Sequence, residues 1–466
     1  VAYIADAKFT QGNLMHHVSS MSLTASIGLM AIFVVDLVDI YFISLLGVDE
    51  LAAAAGYASA LMFFASAINI GLSIAAAALV SRSVGAKQDE KARTYATSVA
   101  AFTVVIGIVI PVVIMANSTY FLGLLGATGE IADKAYTYLK IILPTTVFSG
   151  LAMVAVATLR AYGDAKRAMY PSLIGGGINA VLDPIFIFTL GMGLEGAAWA
   201  TAIARIATML FAIYPALRQY NAFAMPQASR ILQDLREVIA IAIPAILTNV
   251  ATPLGSAIVT REMAKYGTEA VAGMAVIGRL TPVVFAVVLA LSGAIGPIIG
   301  QNYGASRLDR VRETYIDGLK FLAIYVLLAT LFLYLVRVPL ADMFDAQGDA
   351  RVLLYWFCGP LALASFFNGA IYVSNASFNN LGHATYSSWI NWGRHTLGTL
   401  PFVLIGAAWM GAPGVLIGQT LGGVIFAALA IWLSFRVIDH PGHKLFMPFF
   451  CPQMHRMHVV SSRCIR

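Results

Sequence analysis

The sequence predicts an all-α polytopic membrane protein with twelve transmembrane helices in two six-helix lobes. Three observations carry that prediction. First, Asp, Glu, Lys and Arg make up only 11% of the 466 residues while 59% are hydrophobic; soluble domains carry about 25% charge. A soluble fold cannot hide so much apolar surface. Second, long runs lack any Asp, Glu, Lys or Arg, among them 51–81, 94–129, 280–306, 352–393 and 396–435. Each exceeds the ~20 residues a helix needs to cross a bilayer. The runs are unbroken rather than alternating, which excludes a β-barrel. Third, Gly47-Val-Asp-Glu-Leu-Ala-Ala returns as Gly267-Thr-Glu-Ala-Val-Ala-Gly, Val84-Gly-Ala as Tyr303-Gly-Ala, and Gly150 and Gly163 as Gly369 and Gly382. An offset of about 220 residues marks two halves of six spans, which share one orientation because six is even.

In chain order the spans are expected near 18–46, 51–80, 93–116, 132–159, 168–190, 196–218, 238–260, 269–300, 313–336, 352–381, 385–409 and 413–436. Basic residues gather in alternate connections: Arg82, Lys87, Lys91 and Arg93 after span 2, Arg160, Lys166 and Arg167 after span 4, and Arg307, Arg310 and Arg312 after span 8. By the positive-inside rule these ends, and both termini, are cytoplasmic. The expected organisation is an N-terminal cytoplasmic segment (1–17), an N-lobe (18–218), a polar linker holding Pro226 (219–237), a C-lobe (238–437) and a basic tail (438–466). Two-lobed repeats of this kind transport by rocking around a central cavity.

A charge inside a bilayer costs at least about 2.5–3.5 kcal/mol, so each one calls for a reason. Span 1 carries Asp36 and Asp39; span 5 carries Asn179 and Asp183 at i, i+4, on one helix face. Asp39 lies eight residues before Gly47 and Asp183 eight before Gly191. Both carboxylates therefore sit roughly 12 Å below the outer boundary. Two acids at one depth, on different helices, suit a proton or a cation held between them. Pro184 should kink span 5 beside the acid and free backbone oxygens there. Arg205 in span 6 is expected as deep as Asp183 and is a candidate ion-pair partner for it. The C-terminal half is expected to embed no acid deep in its spans and holds Arg279, Arg394 and His395 instead. Coupling chemistry is thus expected in the N-lobe alone.

Other signals carry less. Gly191-Met-Gly-Leu-Glu-Gly196 fits GxGxxG, yet no strand precedes it, so it reads as a turn between spans. No Walker A motif is present, so ATP hydrolysis is not expected. Cys358, Cys451 and Cys464 form neither a disulfide framework nor a zinc site. The net charge of +6 comes from helix ends and is no nucleic-acid signature.

Several motifs in this order resemble the multidrug and toxic compound extrusion (MATE) transporters. They are Val38-Asp39-Ile-Tyr-Phe-Ile-Ser-Leu-Leu-Gly47, Asp49-Glu-Leu-Ala-Ala-Ala-Ala, Val84-Gly-Ala-Lys, Leu159-Arg-Ala-Tyr-Gly163-Asp and Asn179-Ala-Val-Leu-Asp183-Pro-Ile-Phe. The resemblance spans residues 15–437 and is strongest to the DinF-like branch, which uses N-lobe acids. It implies export of small amphipathic organic compounds in exchange for H⁺ or Na⁺, with no cofactor and no enzymatic step. By matching position, Asp39, Asn179, Asp183 and Thr201, with Asp36 nearby, would form the cation or proton site. Asp39, Asn179 and Asp183 would be the ligands if the ion is Na⁺. Arg205, Arg279, Asn368 and Arg394 are candidates for the substrate cavity. The other well-known branch places acids in spans 7 and 10, where this chain has Thr252 and Asn368. Span 1 lacks proline, the first in the chain being Pro111, so proline-dependent bending of that helix is not expected. A monomer in a bacterial inner membrane is implied.

Two competing readings differ in substrate or class. A flippase of the same superfamily, moving a lipid-linked precursor with an anionic head group, would suit Arg279 and Arg394. An intramembrane aspartyl protease would need a GxGD-type loop, and Gly191-Met-Gly193-Leu lacks the acid.

Overall fold

The computed structural model describes residues 7–45 and 49–440. Gly47, from which the depth of Asp39 is counted, lies outside them, as do residues 1–6 and most of the tail. The helices are α1 (Leu14–Ser44), α2 (Asp49–Gly85), α3 (Asp89–Ala116), α4 (Ser118–Leu124), α5 (Gly129–Ile142), α6 (Thr146–Ala161), α7 (Ala165–Pro184) and α8 (Gly193–Arg218). The second half holds α9 (Ala228–Met263), α10 (Thr268–Val284), α11 (Ala286–Gly304), α12 (Leu308–Met343), α13 (Gly348–Trp356), α14 (Ala362–Asn380), α15 (Ala384–His395) and α16 (Leu400–Asp439). Helix is the solution hydrocarbon demands, because every backbone N–H must find its acceptor within the chain. The chain is an integral, all-α membrane protein.

Eleven segments of the described residues are long and apolar enough to span a membrane. The last, Ala384–Asp439, is 56 residues long, well beyond one crossing. It turns back at Gly411, whose φ of 64° and ψ of −140° interrupt α16. The two arms then run antiparallel at backbone contact. A Cβ at Gly422 would lie 1.4 Å from the Gly398 carbonyl oxygen, and one at Gly418 would lie 2.0 Å from that of Phe402. Spans 11 and 12 are therefore both present, meeting where the sequence places the turn.

Five expected spans are broken helices, span 11 among them, divided at residues 396–399 between α15 and α16. Span 4 is α5 and α6, joined by a tight turn at Leu143–Thr145 that contains Pro144. Span 5 widens into a single π-helical turn, Ile185–Thr189, directly after Pro184. Span 8 divides at Phe285 into α10 and α11. Pro282 removes the helical donor for the Gly278 carbonyl just before the break, and at the break itself the Val284 carbonyl accepts from the Tyr325 hydroxyl of α12 at 2.6 Å. Span 10 divides at Gly359-Pro360. The linker is shorter than expected, because residues 228–237 already belong to α9.

Helices α1–α8 and α9–α16 pack as two bundles whose seam is formed by α1 and α2 against α9 and α11. At the end bearing the basic connections, here called the basic face, the seam is closed. A Cβ at Gly85 would lie 2.0 Å from the Gln301 carbonyl oxygen, and one at Gly304 2.0 Å from that of Arg82. Arg82 Nη2 donates across it to the Asn379 carbonyl at 2.6 Å. Helix α1 spans the seam lengthwise. Its first turns, through Leu14, Val18 and Met21, join the apolar core of the C-terminal bundle with Leu291, Ile295 and Tyr315. Its later turns pack on α7, where Gly28 faces Met169 and Ser172, and Gly176 faces Val35.

Candidate functional site

The later half of α1 carries Asp39 to α7, whose last turn holds Asn179 and Asp183 one above the other. The Asn179 side chain links all three: Nδ2 donates to Asp39 Oδ1 at 2.8 Å and to Asp183 Oδ2 at 2.8 Å. Asn179 is 3% exposed and Asp183 0%. The second Asp183 oxygen, Oδ1, is buried and has no donor. Two carboxylates thus share one neutral amide in a low-dielectric setting, with no Lys, Arg or His among the hydrogen-bond partners of either. Their mutual repulsion is of the kind that a proton or a cation taken between them would relieve. The π turn begun by Pro184 ends the regular helix at the same point.

The structure does not bring every expected residue to this cluster. Thr201 turns its hydroxyl onto its own helix, donating to the Ala197 carbonyl at 3.0 Å. A helical Thr commonly satisfies itself this way, so Thr201 makes no bond to the carboxylates. Arg205 is not the partner of Asp183. Its Nη1 donates to the Ile142 carbonyl at 3.2 Å and to Thr145 Oγ1 at 3.0 Å, where the break between α5 and α6 leaves a carbonyl free. Asp36 lies one turn from Asp39 and is exposed rather than held in the cluster. Tyr138 of α5 is a neighbour that sequence reasoning misses; it lies beside Arg205 and within electrostatic reach of Asp39, Asp183 and Asp36. Nothing in its sequence context separates it from a packing tyrosine.

The cavity candidates are dispersed. Arg205 belongs to the N-terminal bundle. Arg279 is exposed on α10, and Asn368 is half-buried on α14. Arg394 is half-buried on α15 beside Tyr372. Neither Arg279 nor Arg394 forms an ion pair among the described residues. No group of three or more His, Cys, Asp or Glu residues suited to a metal ion occurs among them either.

Replacing Asn179 by Ala is expected to leave the carboxylates facing each other without their shared donor. Ion-driven efflux in reconstituted vesicles should fall by about tenfold or more, the scale of a lost hydrogen bond to charged groups; unchanged efflux would show that the bridge is incidental.

The family model MatE matches residues 25–185 and 244–405. An FAD transporter of Shewanella oneidensis is 25% identical over 426 residues, covering 90% of this chain and 94% of the relative. The multidrug export protein MepA of Staphylococcus haemolyticus is 24% identical over 436 residues, covering 92% and 95%. A shorter protein of Pseudomonas savastanoi, uncharacterised, is 36% identical over 197 residues, 42% of this chain and 65% of its own length. Among solved structures, a variant of the Vibrio cholerae MATE transporter VcmN superposes with a TM-score of 0.85 at 28% identity, covering 91% of this chain and 96% of that one.

Proposed function

The chain belongs to the MatE family of membrane transporters, and from that premise we propose that it is a secondary active antiporter. It exports small amphipathic organic compounds in exchange for H⁺ or Na⁺ by alternating access between its two bundles. The observation that carries this reading is the Asn179 amide shared between Asp39 on α1 and Asp183 on α7, with Asp183 Oδ1 left without a donor. Ion uptake at this pair ties α1 to α7; its release loosens them. Ion and substrate then favour different arrangements of the same helices, so each lowers the affinity for the other. Because Asn179 presents N–H groups and not its oxygen to both acids, the arrangement suits H⁺ better than Na⁺, which takes oxygen ligands. The buried acid of the second bundle, Asp317 on α12, has Lys320 at 3.4 Å, whereas Asp39 and Asp183 of the first bundle have no such cation among their hydrogen-bond partners in the described residues; coupling acids in the first bundle match the DinF-like branch.

The orientation is proposed from the basic connections, which put the basic face and both termini in the cytoplasm of a bacterial cell, with the chain acting as a monomer in the inner membrane. The test is efflux from proteoliposomes with a pH gradient and a Na⁺ gradient imposed separately. Antiport predicts that one of them drives efflux against a substrate gradient; failure of both overturns the proposal.

A second reading rests on Arg279 and Arg394 of the C-terminal bundle, which have no carboxylate partner among the described residues. Charges at this depth in the membrane call for a counter-charge, and an anionic head group on a lipid-linked substrate supplies one. Arg394→Gln is expected to impair movement of such a substrate at least about tenfold and to spare export of cationic dyes in the same vesicles. Equal effects on both would remove this reading.

A further inference from the structure

The seam at the basic face is closed by more than the helices. Residues Lys8–Thr10 form one tight helical turn lying across both bundles. Phe9 is 1% exposed. Its N–H donates to Gln301 Oε1 at 2.9 Å, and its carbonyl accepts from Asn302 Nδ2 and Arg310 Nη2, both at 3.1 Å. Arg310 Nη2 also reaches the carbonyls of Gln11 at 3.3 Å and Gly12 at 3.0 Å, and Arg307 holds that of Thr10. All these partners belong to the C-terminal bundle.

The other side of the strap meets the N-terminal bundle. Lys8 Nζ donates to the Gly163 carbonyl at 3.2 Å. The Lys8 stem and the Phe9 ring lie on the α-carbon of Gly163, whose φ of 83° suits glycine. Gln301 is fully buried and works in both directions. Its oxygen holds the strap, while its Nε2 donates to the Ala161 carbonyl at the end of α6 at 2.7 Å. Opening the basic face must break bonds that cross the seam, among them Lys8 to Gly163, Gln301 to Ala161, Arg82 to Asn379 and, from α3 to α9, Tyr95 to Glu237 and Ser98 to Asp234. The Arg307 and Arg310 bonds stay with the C-terminal bundle and keep the strap in place until then.

We propose that residues 7–13 are a latch that holds the basic face shut, carried at the end of α1. The latch is continuous with the helix that bears Asp39. Helix α1 runs 31 residues with no proline and no Gly adjacent to Ser, and sharp kinks almost always need proline, a Gly/Ser pair, a π-bulge or an inserted group. A shift of α1 against α7 at Asp39 is therefore passed to the strap as movement of one rod. That last link rests on the proposed antiport; the latch itself does not.

The test uses the full chain with Cys358, Cys451 and Cys464 replaced by Ser and spin labels on cysteines at Lys91 and Asp309, exposed sites at the basic ends of α3 and α12. Pulsed dipolar spectroscopy reads the distance between the bundles. The unaltered strap should give one short-distance population. Phe9→Ala and Arg310→Gln should each raise the ratio of a longer-distance population by about tenfold, on the scale of a lost charge-assisted contact, and Arg310→Lys by less. Lys8→Met removes only a seam-crossing bond at a partly exposed site and keeps the test available should Phe9→Ala not fold. The same shifts should appear with Asp39→Asn present, so failure of the antiport reading leaves this result standing. A distance distribution unchanged by Arg310→Gln and Lys8→Met would overturn the latch.

Discussion

Asp39→Asn is expected to abolish ion-driven efflux, a loss of at least about 100-fold, while the protein remains folded and inserted. The substitution is nearly isosteric. An asparagine oxygen at this position still accepts from Asn179 Nδ2, so the 2.8 Å contact between α1 and α7 survives. What disappears is the charge that lets the pair take and release an ion. Asp183→Asn should act alike, since the buried Asp183 supplies the other half of the pair. Thr201→Ala should do little by comparison, because its hydroxyl is satisfied by its own helix. Efflux in proteoliposomes, with monodisperse elution as the control for folding, checks all three. Full activity of Asp39→Asn would sink the assignment.

Gly422→Val is expected to prevent the fold of the last two spans. Even the Cβ of the new side chain would stand 1.4 Å from the Gly398 carbonyl oxygen. That neighbour is backbone and cannot rotate away. The two arms on either side of Gly411 must therefore separate along their length, at a cost of about 3 kcal/mol or more. In lipid the loss is specific to packing, because apolar side chains gain nothing by leaving the membrane and helices associate through close contact. Gly177→Ala is the matched control: beyond its own helix backbone and chain neighbours no atom lies within 4 Å of its added Cβ, and its stability should change by under about 1 kcal/mol. Thermal unfolding followed by size-exclusion chromatography separates the two; equal stability would contradict the close-packed hairpin.

The sequence makes some levels of this molecule legible and leaves others dark. Helix number and placement follow from local physics, since a charge-free run must be helical in hydrocarbon wherever it folds. The turn at Gly411 falls between the expected spans 385–409 and 413–436 for that reason. The meeting of Asp39 with Asp183 is also legible, through equal depth counted from flanking glycines and through the i, i+4 spacing of Asn179. Helix rotation is not legible, and it decides the rest. Arg205 is counted to the depth of Asp183 in the sequence but turns toward the carbonyl of Ile142. At the break at Phe285 the Val284 carbonyl is capped by Tyr325, forty-one positions further on. The strap escapes notice because Lys8 to Gly12 carry no periodicity; their partners Gln301, Asn302 and Arg310 lie nearly 300 residues away.

The account turns on one event, the displacement of an ion from the Asp39–Asn179–Asp183 cluster when substrate arrives. The most direct measurement counts H⁺ and Na⁺ released as a transported compound is titrated into purified protein in weakly buffered solution. The account predicts release of one kind of ion from the unaltered protein and none from Asp39→Asn or Asp183→Asn. Undiminished release from the variant carrying both substitutions would contradict it.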